Sequence, residues 1–399
     1  MKHAVIISIL IALFPGFLFS QGDRDDYLLG LARISEGRYQ EAAANLTDAI
    51  SKNQNRNEYY LRRAECRYEL GDYSGALTDL KNIDNKDIGS LLAARCYART
   101  GNTEQCLAYL EKHLRSVYKL PESVLLLDPA FTGLENLSQW RSLWRNEWYT
   151  DDERFLAEVT YLIRKKNYLD ALEQLSQGAE AASPGHALLA LRAEAFFGLG
   201  NLNNCITDLT AAIEKNGTIP SYFNRRAEAY NRQGKYLKAV QDYSRSLQLD
   251  PDQFDIYYAR AKAYKAMDDL NSACDDMEFL VRYYPDSEKF LYEAGRMDYL
   301  NKSYINALKH FNSLLKISTD SAGYFQARGE TYLATNIFRY AAMDFSMALD
   351  LDPYNSECYL KKGLARFHLG DTKGACSDWN KARQYGSAEA VSLLSRYCK

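Results

Sequence analysis

Histidine, cysteine and carboxylate side chains are the groups with which this chain could do chemistry, and their spacing indicates no catalytic site. The five histidines are His3, His113, His186, His310 and His368, and no two of the last four lie within one helical turn. The motifs HExxH, GxSxG, GxGxxG, GxxxxGK[ST] and CxxC are all absent. Each would have supplied a metal, nucleophile, phosphate or redox site. The sequence therefore predicts a non-enzymatic protein with no cofactor and no metal.

The composition narrows the class of partner. The 399 residues contain 49 Lys+Arg and 52 Asp+Glu, which gives a net charge of −3. This balance argues against a nucleic-acid-binding protein, because such proteins usually carry a basic surface. The hydrophobic fraction of 47% and the charged fraction of 25% are typical of a folded chain.

The first twenty residues predict a secretory signal peptide, with cleavage after Ser20. A short basic start is followed by the apolar run Ala4–Leu13, and a small residue precedes a polar chain. The alternative is a membrane anchor, but Ala4–Phe19 is short for a span and contains Pro15 and Gly16. We therefore expect an exported protein, in the periplasm or outside the cell, with no membrane span after cleavage. Because no cysteine precedes Cys66, a bacterial lipid anchor is not expected.

A period of 34 residues runs through most of the chain. Seven contiguous units begin at residues 152, 186, 220, 254, 288, 322 and 356 and cover 152–389. The residue at position 8 is small in every unit except the first, and the residue at position 20 is Ala or Cys. The residue at position 24 is large and apolar, for example Tyr243, Phe345 and Trp379. Small residues allow two antiparallel helices to approach closely, and the large ones fill the space between them. Proline at position 32, as in Pro251 and Pro353, ends the second helix.

This pattern resembles the tetratricopeptide repeat, a family with two helices per 34 residues. The resemblance implies an all-α, right-handed superhelical solenoid. Further units begin at 23, 57 and 87 and predict an N-terminal block of about three repeats, residues 21–120. An irregular connector, 121–151, separates it from the seven repeats of 152–389, and residues 390–399 are expected to form a C-terminal capping helix. The segment Gly374–Trp379 with Tyr397 and Cys398 is similar to the ending of exported Bacteroidetes-type repeat proteins.

The connector is rich in tryptophan. Trp140, Trp144 and Trp148 are four residues apart, which would place three indoles on one helical face. One interpretation is a platform for a ligand. The other, which we favour, is an irregular helix pair that covers the apolar end of the first block, because the ends of a solenoid need covering.

The chain contains eight cysteines, and in an exported protein cysteines often form disulfide bonds. Cys376 and Cys398 lie on either side of a turn at Gly386, and a bond between them would hold the cap on the last repeat. Cys96 and Cys106 lie five residues either side of Gly101 and form a second candidate pair. The alternative for any one cysteine is a small buried apolar side chain.

In the tetratricopeptide family, first-helix positions 2, 5, 9 and 12 face the concave groove, and partners bind there. The resemblance therefore implies a partner-binding wall within residues 221–299, consisting of Asn224, Asn231, Tyr258, Lys262, Lys265, Tyr292, Arg296 and Tyr299. Such a polar, aromatic and locally basic wall would suit an extended peptide that carries carboxylates. An ordinary solvated groove is the alternative. In the last unit, Leu360, Leu364 and Phe367 form an apolar strip that could receive a partner helix or pack internally.

The predicted function is that of an exported scaffold or adaptor that binds a protein or an extended peptide through its groove. The alternative is a periplasmic or surface binding protein for peptide or glycan ligands. The sequence leaves the oligomeric state open.

Overall fold

The computed structural model describes residues 21–178 and 185–398, and these residues form an all-α solenoid without strands. The predicted signal peptide, 1–20, lies outside them. The chain divides after Glu153 into two compact units. The helices of the first unit are α1 Gln21–Ser35, α2 Tyr39–Lys52, α3 Asn57–Glu69, α4 Tyr73–Lys81, α5 Ser90–Arg99, α6 Thr103–Arg115, α7 Glu122–Leu126 and α8 Ser138–Leu143, with 3-10 turns at Pro129–Phe131 and Leu134–Asn136 between the last two.

The second unit consists of successive antiparallel helix pairs followed by one helix. The pairs are α9 Asp151–Arg164 and α10 Tyr168–Gly178, α11 His186–Gly198 and α12 Leu202–Lys215, α13 Pro220–Arg232 and α14 Tyr236–Leu249, α15 Phe254–Ala266 and α16 Leu270–Tyr283, α17 Glu288–Leu300 and α18 Tyr304–Ile317, α19 Ala322–Ala334 and α20 Phe338–Leu351, α21 Ser356–His368 and α22 Thr372–Gln384, and the final helix is α23 Ala388–Tyr397. None of the helices described in either unit is long and apolar enough to cross a bilayer.

The turn inside each of these pairs depends on one residue with a left-handed backbone. In three repeats it is a glycine, for example Gly200 at φ +76° and Gly234 at φ +72°. In the others the same position holds Lys166, Asp268, Lys302 or Asn336, with φ between 60° and 63°. A left-handed residue ends the first helix and reverses the chain, and residues other than glycine adopt this conformation only at some cost.

Close approach of the two helices explains the small residues at position 8. A Cβ atom added to Gly363 would lie 2.4 Å from Trp379 Nε1, and one added to Gly295 would lie 2.6 Å from the Phe311 ring. Both aromatic side chains are fully buried. The large residue at position 24 therefore packs directly on the backbone of the first helix, as the sequence predicts.

A buried ion pair, which the sequence analysis missed, recurs in five repeats. Arginine at position 7 of the first helix donates two hydrogen bonds to aspartate at position 23 of the second. The pairs are Arg63–Asp79, Arg192–Asp208, Arg226–Asp242, Arg260–Asp276 and Arg328–Asp344. The sequence carried a signal for it, because arginine and aspartate occur together at these positions and are replaced together, by Ala294 and His310, in the repeat at 288.

The connector covers the end of the first unit, but not with one helical face of indoles. Helix α8 ends at Leu143, so Trp144 lies at its end and Trp148 beyond it. Trp140 is buried in an apolar cluster with Leu110 and Phe131, and the other two indoles pack against the same cluster. The expectation of three tryptophans on one helical face is therefore wrong, because the helix is too short to carry them.

The cysteines follow two different patterns. Cys376 on α22 and Cys398 after α23 form a disulfide, with their Cα atoms 5.8 Å apart. Cys96 and Cys106, the second candidate pair, are free and buried. Cys96 packs with Ala64 and Ala76 of the preceding helix pair, whereas Cys106 packs in the cluster beneath the connector. The two thiols point into different apolar clusters, so the predicted bond between them does not form.

Candidate functional site

A concave pocket of about 450 Å³ lies along the first helices α11, α13 and α15 of the second unit. Most of its lining side chains are polar or charged. They are Glu194, Ser221, Asn224, Arg225, Glu228, Asn231, Tyr243, Asp255, Ile256, Tyr258, Ala259 and Lys262. Four of the eight predicted contact residues, Asn224, Asn231, Tyr258 and Lys262, are among them.

Helical geometry brings these side chains to one face. Asn224, Glu228 and Asn231 are separated by four and three residues, so they lie above one another on α13. Tyr258 and Lys262 have the same relationship on α15. Because the two helices occupy equivalent places in successive repeats, the two rows lie side by side and form a continuous wall.

The side-chain amide of Asn224 is oriented by its neighbour Gln253. The Nε2 group of Gln253 donates to the carbonyl oxygen of Asp250 at 2.7 Å and to Ser246 Oγ at 3.1 Å, which leaves its Oε1 atom as an acceptor. Asn224 Nδ2 donates to this Oε1 atom at 2.6 Å. Asn224 lines the pocket, and its Oδ1 atom is the acceptor that remains on this amide. It is buried and accepts no hydrogen bond.

The guanidinium of Arg225 is already satisfied within the pocket. Its Nε donates to Glu194 at 2.6 Å, its Nη1 donates to Glu228 at 2.5 Å, and it lies over the Phe197 ring at 4.4 Å. Arg225 therefore neutralises the two glutamates instead of offering a free cation. Arg225 is not one of the eight predicted contact residues, although position 6 lies four residues after position 2 and three before position 9, on the same helical face.

Two lysines flank Tyr258 and have no carboxylate partner in the described part of the chain. Lys289 Nζ lies 4.1 Å from the centre of the Tyr258 ring, and Lys262 Nζ lies 5.5 Å from it. Both lysines are exposed. Burial raises the pKa of the Tyr258 hydroxyl, so the ring stays neutral near pH 7. The two ammonium groups at this end of the pocket are therefore free of ion pairs with the described residues, although Asp255 also lines the pocket and the charge of Glu293 acts on Tyr258.

Family models match the chain in both units. Two models described as tetratricopeptide repeat match residues 27–82 and 255–287, and one described as TPR repeat matches residues 227–268. The matched segments fall on helices α1–α4 of the first unit and α13–α16 of the second. The chain is a tetratricopeptide repeat protein.

Curated relatives are distant and longer than this chain. The Hsp70-Hsp90 organizing protein of Triticum aestivum is 21% identical over 225 residues, which are 56% of this chain and 39% of that protein. The mitochondrial import receptor subunit TOM70 of Homo sapiens is 23% identical over 358 residues, 82% of this chain and 58% of that protein. This chain thus spans about two fifths to three fifths of their length.

A solved structure supports the tetratricopeptide fold. It is the C-terminal part of a TPR repeat-containing protein from Cytophaga hutchinsonii, which superposes with a TM-score of 0.51 at 18% identity. The superposition covers 60% of this chain and 99% of the other. At this identity the likeness concerns the fold alone.

The remaining predicted contact residues, Lys265, Tyr292, Arg296 and Tyr299, do not line the pocket. Three of them make contacts with other residues of the tetratricopeptide repeats. Arg296 Nη1 forms an ion pair with Glu330 at 2.8 Å and lies over the Tyr299 ring, so it is not a free cation. Tyr292 packs on Tyr324 of the next repeat. The interpretation of these three as an open basic and aromatic wall is therefore not supported. Lys265 is exposed but does not line the pocket.

The apolar strip of the last repeat is covered from within the chain. Leu360 is buried, and Leu364 and Phe367 pack in the same cluster as Ala390 of α23. The Phe367 and Tyr397 ring centres are 4.6 Å apart. Of the two expectations for this strip, internal packing is the one that the structure supports.

No group of three His, Cys, Asp or Glu side chains in residues 21–178 and 185–398 is placed to hold a metal ion.

Proposed function

We propose that this tetratricopeptide repeat protein is a non-enzymatic, exported adaptor that binds an extended, carboxylate-bearing segment of a partner protein. The segment lies in the pocket along α11, α13 and α15. One observation carries the proposal: Asn224 lines the pocket, and its Oδ1 atom is a buried acceptor without a donor. A buried polar atom that lacks a hydrogen bond costs about 1–3 kcal/mol. A donor on the bound segment recovers this cost once the Asn224 amide turns toward the segment.

A peptide backbone is a suitable donor for this position. An extended peptide presents an N–H group at regular intervals whatever its side chains, so one asparagine can hold it without reading its sequence. Asn231 lies two turns further along the same face of α13 and supports a second backbone contact. The two amides would fix the direction of the peptide, and the side chains around them would select its sequence.

The two lysines around Tyr258 favour a carboxylate on the bound segment. Lys262 and Lys289 have no acidic partner in the described residues, whereas Arg225 is fully engaged by Glu194 and Glu228. We therefore place the carboxylate of the peptide near Tyr258 and not near Arg225. Because the lysines are exposed, their contribution is modest and decreases as the salt concentration rises.

Two relatives have names consistent with a role in binding proteins. The Triticum aestivum relative is named an Hsp70-Hsp90 organizing protein and the human relative an import receptor subunit. Transfer of this role to the present chain is part of our proposal, since the chain spans only part of each relative.

The test is selection of peptides from a random displayed library on the purified protein, followed by titration of synthetic peptides by fluorescence anisotropy. We expect selected peptides to carry an Asp, a Glu or a free C-terminus. The Asn224→Leu and Lys262→Glu/Lys289→Glu variants should weaken binding about tenfold or more. Lys316→Glu, a charge reversal at an exposed lysine of α18, is the matched control and should bind normally. Selected peptides that bind all variants equally would place the site elsewhere.

Export is the second part of the proposal and is tested separately. It rests on the basic start, the apolar run and the small residue of the first twenty positions. Expression of the whole chain in a Gram-negative host, followed by N-terminal sequencing of the periplasmic fraction, should yield a protein that begins at Gln21. A cytoplasmic protein that keeps its first residue would contradict export without affecting the peptide site.

A further inference from the structure

The outward face of helix α20 carries a stripe of large apolar side chains. Tyr340, Met343, Met347 and Leu351 are three or four residues apart, so they form one row along the helix. Their exposed fractions are 55%, 56%, 47% and 46%. The opposite side of the same helix is buried through Ala341, Phe345 and Ala348. The stripe is thus additional to the apolar face that builds the solenoid.

Two other second helices show that the repeat does not require apolar residues at three of these four positions. In α14 the residues that correspond to Tyr340, Met343 and Met347 are Lys238, Gln241 and Arg245. In α18 they are Asn306, Lys309 and Ser313. The fold therefore accepts polar residues at these three positions, whereas the position of Leu351 is also apolar in both helices, as Leu249 and Ile317. Contiguous apolar surface of this kind usually marks an interface.

We propose that this stripe is the interface of a homodimer, in which α20 of two copies pack against each other in antiparallel orientation. The stripe is close to symmetric about residue 345, with Met343 and Met347 equally far from the centre and Tyr340 and Leu351 near its ends. A two-fold interface must place residue i of one copy against residue j of the other and the reverse. Antiparallel helices centred on residue 345 meet this condition, with Met343 opposite Met347 of the second copy.

The charges beside the stripe favour the same arrangement. Arg339 and Asp350 are exposed, and neither forms an ion pair in the described part of the chain. They are eleven residues apart, which is about three helical turns, so both lie along the same side of the stripe. In the antiparallel dimer each Arg339 lies opposite Asp350 of the second copy. Parallel helices would not bring these opposite charges to the same level.

The side chains of the stripe suit an interface of moderate strength. The Tyr340 ring is held against Tyr332, with ring centres 5.4 Å apart, so little of its freedom is lost on association. Methionine adapts to an irregular facing surface. One pair of 14-residue helices buries less than the roughly 1,200 Å² at the lower end of stable interfaces. The dimer is therefore in equilibrium with the monomer and depends on concentration.

The experiment is sedimentation velocity of the purified protein over about a hundredfold range of concentration. We expect a monomer–dimer equilibrium. The Met343→Gln/Met347→Arg variant introduces the residues that α14 carries at these positions, so the fold should tolerate it. It should raise the dimer dissociation constant at least about tenfold. Ile305→Gln removes a still more exposed apolar side chain from α18 and should leave the constant unchanged.

Charge exchange tests the antiparallel register. Arg339→Asp and Asp350→Arg should each weaken the dimer, the double exchange should restore it, and a mixture of the two single variants should form a heterodimer. A protein that is monomeric at every concentration would overturn the proposal. It would also be overturned by a dimer that Met343→Gln/Met347→Arg leaves intact, or by charge variants that do not rescue each other.

Discussion

Arg260 and Asp276, sixteen residues apart in the chain, join the two helices of one repeat through two hydrogen bonds of 2.9 and 2.7 Å. The same guanidinium donates a third bond, at 3.0 Å, to Ser244 on the second helix of the preceding repeat. Arg63, Arg226 and Arg328 make the equivalent third bond to Thr47, Thr210 and Asn312. One arginine in these repeats therefore holds together three helices of two consecutive repeats.

Removal of one partner of this pair should destabilise the protein more than removal of both. Burial raises the pKa of Asp276, and the bonds from Arg260 only partly offset this effect, so the ionised pair is costly to bury. We expect Asp276→Ala to lower the free energy of unfolding by about 3 kcal/mol, because Arg260 is left uncompensated. Arg260→Met/Asp276→Leu should recover most of that loss. Urea unfolding, followed by circular dichroism, measures the free energy of unfolding of both variants. Equal losses of stability in the single and the double variant would contradict a cost of burying the unpaired Arg260.

The stability contributed by Glu330 should disappear in acid. Burial acts to raise the pKa of Glu330, but hydrogen bonds from Lys361, Gln326 and Arg296 outweigh it, and the pKa is lowered below its ordinary value of 4.5. A lowered carboxyl pKa gives stability that is complete above 4.5 and is lost as the pH falls through the folded-state value. We expect Glu330→Gln to cost about 1.5 kcal/mol at pH 7.

The measurement for Glu330 is the difference in thermal midpoint between wild type and Glu330→Gln as a function of pH. The difference should be constant near neutrality and shrink below pH 4.5. Glu357→Gln removes an exposed carboxylate that also contacts Lys361 and serves as the control, with a small effect at all pH values. A difference that is independent of pH would show that the loss is steric.

The six free thiols should be unreactive in the folded protein. Five of them are buried, and burial raises the pKa of Cys66, Cys96, Cys205, Cys274 and Cys358 to about 12 and that of Cys106 to about 11. Since the thiolate is the reactive form, none should react quickly with Ellman's reagent near pH 8. Six should react in denaturant, and eight after reduction as well. Fast reaction of even one thiol per molecule of native protein with Ellman's reagent would contradict the assigned burial.

Loss of the Cys376–Cys398 bond should loosen the cap without unfolding the solenoid. The bond closes a separation of 22 residues and holds α23 on α22, and a crosslink of this size contributes about 3 kcal/mol. In Cys376→Ser/Cys398→Ser, amides of α23 should exchange with solvent about a hundredfold faster. Amides of α13–α16 should exchange as in the wild type. Equal protection of α23 in both proteins would show that packing of Leu393 and Leu394 alone holds it.

The repeat could be predicted from the sequence because it depends on local rules. Residue size at positions 8, 20 and 24 sets how closely two helices pack, and a left-handed residue sets the turn. Both are repeated every 34 residues, so each copy supports the interpretation of the others. The all-α solenoid that the resemblance to the tetratricopeptide repeat implied is confirmed. The Trp140–Trp148 segment has no such repeat, and its helical periodicity alone gave the wrong local structure.

Which groove residues are free was decided by the tertiary structure. Arg225 and Arg296 donate hydrogen bonds to Glu194 and Glu330, which are 31 and 34 residues away in neighbouring repeats. The acceptor that orients Asn224 is 29 residues away. A sequence pattern shows that a side chain faces the groove, because that follows from helical periodicity. Whether the charge of that side chain is already neutralised depends on the distance between atoms of different repeats, which only the packing of one helix pair on the next determines.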